Sequence, residues 1–356
     1  MRLLFALIPL AAFLLPLSAS EKGPGGEVSS EPAALRKLKD VDATEANLRK
    51  AVEKALPQLW KGLEGHNEIH TCFACHHHGA AMVAFGIART HGYDIPEKKL
   101  QEQIDFLAAD LERNRARFAQ GKGPGPSPAG GETDNTGYAL LALGAVGYKA
   151  ETSTAAAVAY TLGHQKDRAF WSTPGRRPPS EASSFTTTAL NLRGIRAYRT
   201  KDQAELADKR IAAAKDWLAK TAAADTEDRV FRLIGLKAAG AGTADVEKAT
   251  DDLAKTQRED GGWGQLDAMA SDPYATATAL YALHTAGGVA VDDAAFRKGL
   301  RFLLGTQEDD GTWFVKSRSR PVQKYFESGF PHGKDQFISC AATGWAAAVL
   351  ALASKK

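Results

Sequence analysis

Three segments of the chain place a glutamine six residues before a tryptophan: Gln165 to Trp171, Gln257 to Trp263 and Gln307 to Trp313. The last two share the pattern Gln-x-x-x-Gly-x-Trp, whereas the first has Ala169 where glycine is expected. Each copy follows an amphipathic segment and precedes a segment rich in small residues. Internal repetition of this kind predicts an architecture built from repeated helical hairpins.

The segments around these copies predict two alternating kinds of helix. The chain is rich in alanine, leucine and lysine and poor in alternating valine and isoleucine, which favours an all-α fold. Helices with one apolar stripe are predicted at 42–62, 96–120, 153–165, 201–220, 243–257 and 292–307. Helices that are apolar on most sides, and therefore buried, are predicted at 71–91, 134–148, 184–199, 226–239, 273–287 and 336–353. Six outer and six inner helices predict an (α/α)6 toroid, or barrel, with long loops on one rim.

The start of the first helix carries its own signal. Asp42 is the expected N-cap, and Glu45 follows three residues later, as in a capping box. One apolar stripe then runs along the helix and predicts the face that packs inward. The members of this stripe are Leu48, Val52, Leu56, Leu59 and Leu63.

The residue types in the tryptophan motifs suit a turn between helices. A glutamine at the end of an outer helix can satisfy unpaired backbone groups of the following turn. Glycine permits the backbone to reverse, and tryptophan fills the wedge between neighbouring hairpins. We therefore expect these motif residues to be structural rather than catalytic.

The Gln-x-x-x-Gly-x-Trp copies and the alternating helices together resemble the squalene-cyclase and protein-prenyltransferase α/α-toroid superfamily. The resemblance covers about residues 42–354 and is strongest from Gln257 onward. It implies the toroid fold and, by analogy with the enzymes of the superfamily, activity on an isoprenoid lipid. Protein prenyltransferases bind zinc through Asp, Cys and His, but the spacing of His332, Asp335 and Cys340 departs from their pattern.

The resemblance also draws attention to a group of carboxylates. Squalene-hopene-type cyclases protonate an alkene with an Asp-x-Asp-Asp acid, and the nearest match here is Asp225-Thr226-Glu227-Asp228, with glutamate at the third position. Asp225 and Asp228 are the candidate catalytic acids. Carboxylates at the start of a helix also serve as N-caps and interact with the helix dipole, and we favour that interpretation for this segment.

A second motif, Cys72-Phe73-Ala74-Cys75-His76, is typical of c-type haem attachment. Each thiol can form a thioether with a haem vinyl group, and the following imidazole then binds the iron. Cys72, Cys75 and His76 are therefore candidate haem-binding residues, with covalent haem c and its iron as the expected cofactor. Two other interpretations remain open, a local Cys72–Cys75 disulfide and a zinc or copper site that includes the adjacent histidines.

The other haem contacts are expected from loops on the same rim of the barrel. His332 is the expected second axial ligand, and Met269 or an open position is the alternative. Arg176 and Arg177 are candidates for pairing with haem propionates, because a guanidinium binds a carboxylate bidentately. This arrangement would place the haem at the mouth of the central cavity.

Two histidines adjoin the expected iron ligand, and they are not expected to bind the metal. His77 and His78 directly follow His76, and adjacent imidazoles cannot share one axial position. We expect both side chains to face solvent or a haem propionate.

The N-terminal sequence predicts export. Residues 1–20 combine Arg2, a nearly continuous apolar run and small residues at 18–20, which is typical of a signal peptide. Residues 21–41 are expected to be a flexible tether before the toroid at 42–354. A periplasmic or other extracytoplasmic location follows, and it suits haem attachment. The net charge of +3 gives no indication of a nucleic-acid partner, and no later segment resembles a membrane span.

Three functions follow from these observations. The first is electron transfer, with a redox partner protein, or binding of a small ligand at an exported haem. The alternative is a terpenoid cyclase or prenyltransferase-like enzyme, although the 8% aromatic content gives no sign of a richly aromatic cavity. The third is a non-catalytic binding module or a saccharide lyase on the same barrel.

Overall fold

The computed structural model describes residues 38–125, 133–175, 177–320 and 325–355, and these residues form twelve α-helices. The outer helices are α1 (Glu45–Ile69), α3 (Glu97–Ala119), α5 (Thr152–Gly163), α7 (Ala204–Lys220), α9 (Thr243–Ala254) and α11 (Ala294–Thr306). The inner helices are α2 (Ala80–Thr90), α4 (Thr133–Ala145), α6 (Ser184–Tyr198), α8 (Thr226–Ala239), α10 (Pro273–Thr285) and α12 (Gln336–Ala353). The predicted all-α fold class is confirmed.

The inner helices form a closed ring. Each packs against the next in the order α2, α4, α6, α8, α10 and α12, and α12 then packs against α2. The closing contact is tight, because a Cβ at Gly344 would lie 2.7 Å from the backbone carbonyl carbon of Ala80. Among the described residues one helix, Gly333–Ala353, is long and apolar enough to cross a bilayer (mean hydropathy 1.5), and 83% of that window is buried inside the protein.

The tryptophan motifs tie each outer helix to the inner helix that follows it. The Trp263 indole donates to the Leu253 carbonyl of α9 (3.1 Å), and the Trp263 backbone N–H donates to Thr276 Oγ1 of α10 (2.9 Å). The same pair of bonds recurs at Trp171 and Trp313. All three indoles are buried, so the structural interpretation of these residues agrees with their packing.

The motif glutamines connect one hairpin to the next. Gln257 Nε2 donates to the Ala295 carbonyl of α11, and Gln307 Nε2 donates to the Ala51 carbonyl of α1, each at 2.8 Å. The motif glycine is also required by geometry. Gly261 has a φ of +85°, and a Cβ there would lie 2.6 Å from the Lys298 carbonyl oxygen.

Helix ends differ from the expected ones mainly in the first hairpin. Thr44, not Asp42, caps α1, because Thr44 Oγ1 accepts a hydrogen bond from the Asn47 N–H. The helix continues to Ile69, seven residues beyond its predicted end, and includes Pro57. The first inner helix begins with one π-helical turn, Cys75–Gly79, rather than at residue 71. The stripe of α1 is buried as expected.

The first residues that the structure describes lie within the predicted tether. The Lys39 N–H donates to the Gly305 carbonyl at the end of α11 (3.1 Å), and Lys39 Nζ donates to the Gln307 carbonyl. Residues 38–41 therefore pack on the toroid. The predicted signal peptide at 1–20 and the tether residues 21–37 lie outside the described residues.

Three rim loops meet above the starts of the inner helices. Thr226 Oγ1 at the start of α8 donates to the Gly264 carbonyl (2.6 Å). Arg318 donates to Gln265 Oε1 (2.9 Å), and Ser319 Oγ donates to the Pro178 carbonyl (3.2 Å). The segment 314–320 thus touches both the loop at 258–272 and the described residues around Pro178, beside the start of α8.

Candidate functional site

A fully buried carboxyl group, that of Glu227, lies at the start of α8. Its Oε1 accepts hydrogen bonds from Thr186 Oγ1 of α6 (2.8 Å) and from the Tyr274 hydroxyl of α10 (3.3 Å). Its Oε2 is buried and has no hydrogen-bond partner among the described residues. Three adjacent inner helices therefore fix one oxygen of this carboxyl group and leave the other available for chemistry.

The surroundings of Glu227 favour its protonated form. Burial, followed by the neighbouring Asp225 and Asp228 carboxylates, raises its pKa to about 8 against a reference value of 4.5. Glu227 is therefore mostly a neutral carboxylic acid at pH 7. Burial also raises the pKa of Asp272, at the start of α10, to about 6.

The two candidate acids from the sequence have structural contacts instead. Asp225 Oδ1 caps α8 by accepting a hydrogen bond from the Asp228 N–H (2.9 Å). Asp228 accepts hydrogen bonds on both carboxylate oxygens, from Ser183 Oγ (2.6 Å) and from the Ala224 N–H (3.0 Å). These contacts fit the capping interpretation. Sequence analysis did not select Glu227, although its place as the third residue of the Asp225–Asp228 segment was the available signal.

Two tyrosines complete the surroundings of Glu227. Tyr274 donates to the carboxyl group, and Tyr138 of α4 is close enough for the two groups to influence each other's ionisation. Burial raises the pKa of both tyrosines well above the usual value, so both remain neutral phenols. The Tyr138 hydroxyl donates to the Ser180 carbonyl in the first rim loop (3.2 Å).

The Cys72–His76 segment lies at a different place, between the end of α1 and the start of α2. Cys72 is exposed, whereas Cys75 is buried and donates from its thiol to Asn135 Oδ1 at the start of α4. Cys72, Cys75 and His76 all line a cavity of about 410 Å³. Its wall consists of residues from the first two hairpins together with Arg177 from the segment between α5 and α6.

The histidines around the motif form a packed cluster. His77 and His78 were expected to face solvent or a haem propionate, and the solvent alternative is wrong, because both are buried. His77 Nε2 shares a hydrogen bond with Ser328 Oγ (2.9 Å), and His78 Nε2 shares one with Asn67 Oδ1 (3.0 Å). Burial, followed by neighbouring charges, lowers the pKa of His77 and His78 well below the usual value.

The described residues do not bring the predicted second axial ligands to this cavity. His332 Nε2 shares a hydrogen bond with Thr312 Oγ1 (2.7 Å), and its ring packs near Phe314 and Phe330. Met269 is half-buried in the loop before α10. Neither side chain is among those that line the cavity.

Of the two predicted propionate partners, Arg177 lines the cavity and Arg176 lies outside the described residues. The Arg177 guanidinium pairs with the buried Glu181 carboxylate. A second guanidinium in the cavity wall, that of Arg113 on α3, was not identified from the sequence, since nothing local marks it.

Comparison with known proteins relates the chain to terpene cyclases. Residues 229–339 match the model of the squalene-hopene cyclase C-terminal domain. A squalene–hopene cyclase from Bradyrhizobium diazoefficiens is 34% identical over 111 residues, which cover 26% of this chain and 16% of that enzyme. A drimenyl diphosphate synthase from Streptantibioticus cattleyicolor is 32% identical over 205 residues, covering 54% of this chain and 37% of the synthase. The chain thus spans well under half the length of these relatives.

Solved structures give the same fold with lower sequence identity. The type II terpene cyclase MstE from Scytonema, in complex with geranylgeranyl dihydroxybenzoate, aligns with a TM-score of 0.56 and 17% identity, over 87% of this chain and 97% of that one. A glycosidase in complex with glucose aligns with a TM-score of 0.58 and 15% identity, over 86% and 98%. These likenesses show the fold alone. The solved structures therefore show an α/α toroid, and residues 229–339 of this toroid are similar to the squalene-hopene cyclase C-terminal domain.

Proposed function

We propose that the chain is a terpene-cyclase-like enzyme in which the Glu227 carboxylic acid protonates a carbon–carbon double bond of an isoprenoid. The observation that carries the proposal is a buried, neutral carboxyl group with one unpartnered oxygen on the inner ring. The similarity to squalene–hopene cyclase and drimenyl diphosphate synthase supports the substrate class. General acids work best when their pKa lies near the operating pH, as it does here.

The hydrogen bonds determine which oxygen carries the proton. Oε1 accepts from Thr186 and Tyr274, so it takes the role of the carbonyl oxygen. The acidic proton then resides on Oε2, which has no protein acceptor among the described residues. This proton is the one available to an alkene.

The reaction balances without an oxidant or a reductant. The Oε2 proton adds to one alkene carbon, and the other carbon becomes a carbocation. A second double bond of the same chain attacks that cation and closes a ring. Loss of a proton from the final cation makes the overall reaction an isomerisation, and protonation of the Glu227 carboxylate restores the acid.

The groups around Glu227 suit a cationic intermediate. The Asp225 and Asp228 carboxylates lie close enough to raise the pKa of Glu227, so they also contribute negative potential there. The faces of Tyr138 and Tyr274 offer further stabilisation through cation–π contact, worth about 0.5–2 kcal/mol each.

Substrate access requires the rim loops to separate. Glu227 is only 4% exposed, and Gln265, which accepts from Arg318, also contacts Thr226 and Asp272 beside it. The contacts between the rim loops include the Arg318–Gln265 and Ser319–Pro178 hydrogen bonds, and a bond of this kind is worth about 1 kcal/mol. We infer that an isoprenoid enters after these bonds open.

The test is incubation of the purified protein with acyclic isoprenoids, namely squalene, geranylgeraniol and geranylgeranyl diphosphate, followed by product analysis. We expect a cyclic isomer from the wild type and none from Glu227→Gln. Glu259→Gln, an exposed site in the same rim, is the matched control and should retain the wild-type rate. Equal conversion by Glu227→Gln, or no conversion of any of the three substrates by the wild type, would reject the proposal.

A further inference from the structure

We propose that the cavity beside residues 72–76 holds a haem attached covalently through Cys72 and Cys75, with His76 as an iron ligand. The inference goes beyond the proton transfer proposed for Glu227 and does not depend on it. It rests on the Cys-x-x-Cys-His pattern and on the cavity that the fold builds around it.

The three residues that haem attachment needs share one cavity. Cys72, Cys75 and His76 line its wall, although Cys72 belongs to an exposed loop and His76 to a buried π-helical turn. The cavity volume of about 410 Å³ falls within the roughly 300–1,000 Å³ typical of cofactor sites. A motif that served only to shape the backbone would not require a cavity at its reactive atoms.

The rest of the cavity wall contains both apolar and positively charged side chains, as a porphyrin with propionates requires. Phe73, Leu111 and Phe118 supply apolar contact surface for the macrocycle. Arg113 and Arg177 place two guanidinium groups in the wall, paired with Asp110 (3.1 Å) and Glu181, and these groups would also face the propionates. Arg177, which was predicted from the sequence, therefore lines the cavity. Arg113 on α3 is a second arginine in the same wall.

The structure weakens the metal-ion alternative. Among the described residues no three His, Cys, Asp or Glu side chains converge in a group that could hold a metal ion. The pattern and the cavity therefore favour the haem interpretation over a bare metal ion.

The attachment chemistry balances. Each Cys S–H adds across one vinyl double bond of the haem, so that sulfur bonds to the carbon next to the ring and hydrogen to the terminal carbon. No group leaves, and no oxidant or reductant is consumed. The polypeptide gains the full mass of one haem.

A neighbouring carboxylate is placed to orient the proximal imidazole. His76 Nδ1 is buried without a hydrogen-bond partner among the described residues, and Glu181 Oε1 lies 4.0 Å away. The Glu181 side chain is itself 2% exposed. If Nε2 held the iron, Nδ1 would carry the proton, and a small approach of Glu181 would let it accept that proton's hydrogen bond, which would fix the ring and make it a stronger ligand.

The cavity also contains a candidate for the second axial position. His70 lines it, and its Nε2 is buried without a hydrogen-bond partner among the described residues. If a second imidazole holds the iron, His70 is the residue that this cavity would supply for it, whereas His332 does not line the cavity.

The decisive measurement is the intact mass of the protein exported from a host that carries out cytochrome c maturation. We expect the mass of one added haem, retained after denaturation. The Cys72→Ala/Cys75→Ala variant should lose all covalent haem, whereas Cys340→Ala, a buried control cysteine, should keep it. An unmodified wild-type mass, a mass lower by two hydrogens, or bound zinc in native mass spectrometry would overturn the proposal.

Two further variants test the ligand assignments on the haem-loaded protein. Glu181→Gln should retain full haem mass and raise the haem reduction potential, because the amide no longer withdraws the Nδ1 proton. His70→Ala should alter the reduced absorption spectrum. An unchanged potential rejects the role of Glu181, and an unchanged spectrum rejects His70; neither result affects the thioethers, which the mass measurement decides.

Discussion

The Glu227 site and the Cys72–His76 cavity are built in opposite ways. Glu227 is held at the rim of the inner ring by side chains from α6 and α10, beneath three contacting loops. The cavity lies between the first two hairpins and is bordered by an exposed cysteine. The first site is closed, whereas the second is open and is marked by its own motif. The two proposed chemistries can therefore be tested independently of each other.

The largest expected effect is on the rate of isoprenoid cyclisation, which should depend on Glu227 and not on Cys72 and Cys75. Glu227→Gln removes the proton that starts the proposed cyclisation, and loss of a general acid costs about 10²- to 10⁴-fold in rate. The same variant should carry a full complement of haem, measured by mass. Conversely, Cys72→Ala/Cys75→Ala should cyclise isoprenoids at the wild-type rate. A large loss of cyclisation in the cysteine variant would mean that the two sites are one.

The second effect is a dependence of stability on pH. The native pKa of Glu227, about 8, lies above its reference value of 4.5, so the native state binds more protons between these values. Glu227 therefore makes its full contribution to the free energy of unfolding below pH 4.5. This contribution is lost as the pH rises towards 8. The wild type has this contribution at pH 5 and has lost most of it at pH 8, whereas Glu227→Gln lacks it at both. The unfolding free energy of Glu227→Gln minus that of the wild type should therefore rise by on the order of 3–5 kcal/mol from pH 5 to pH 8.

Urea unfolding of both proteins at these two pH values measures the difference. Because both proteins share all other titrating groups, including Asp272, the difference reports Glu227 alone. A constant difference between the two proteins would show that Glu227 is ionised in the native state and would remove it as the acid.

A smaller effect is expected for Asp228→Asn. The amide oxygen can still accept one of the two hydrogen bonds, from Ser183 or the Ala224 N–H, so the unfolding free energy should fall by about 1 kcal/mol. Cyclisation should fall no more than a few-fold. If activity disappears while thermal melting shows a folded protein, then Asp228, one of the two acids expected from the sequence, is the proton donor.

The smallest effect is expected for His332→Ala. The variant loses one partly buried hydrogen bond to Thr312, worth roughly 0.5–1.5 kcal/mol. Its oxidised and reduced haem spectra should match those of the wild type. A changed spectrum would restore His332 as an axial ligand.

The fold was largely predictable because its signals are local. Hydrophobic periodicity and small-residue composition set the two classes of helix, and ten of the twelve helices lie within three residues of their predicted bounds. The exceptions are in the first hairpin. Thr44 takes the cap in place of Asp42, and the π-helical turn at Cys75–Gly79 delays α2.

The sites were less predictable because they are assembled across the chain. Thr186 and Tyr274, which fix Glu227, are 41 and 47 residues away from it in sequence. Arg113 joins the cavity only because α3 packs beside the loop at residues 71–74. Local capping logic correctly described Asp225, but it could not show that the adjacent glutamate faces two other inner helices.

Ring closure by α12 has a consequence for the order in which an exported chain matures. The last helix completes the circle by packing against the first hairpin, including the turn that contains Cys75. If the polypeptide crosses a membrane N-terminus first, residues 72–76 would emerge before α12 has crossed. Covalent modification of Cys75 would then precede its enclosure, and a chain truncated before Gln336 should accept the prosthetic group yet never form a stable toroid.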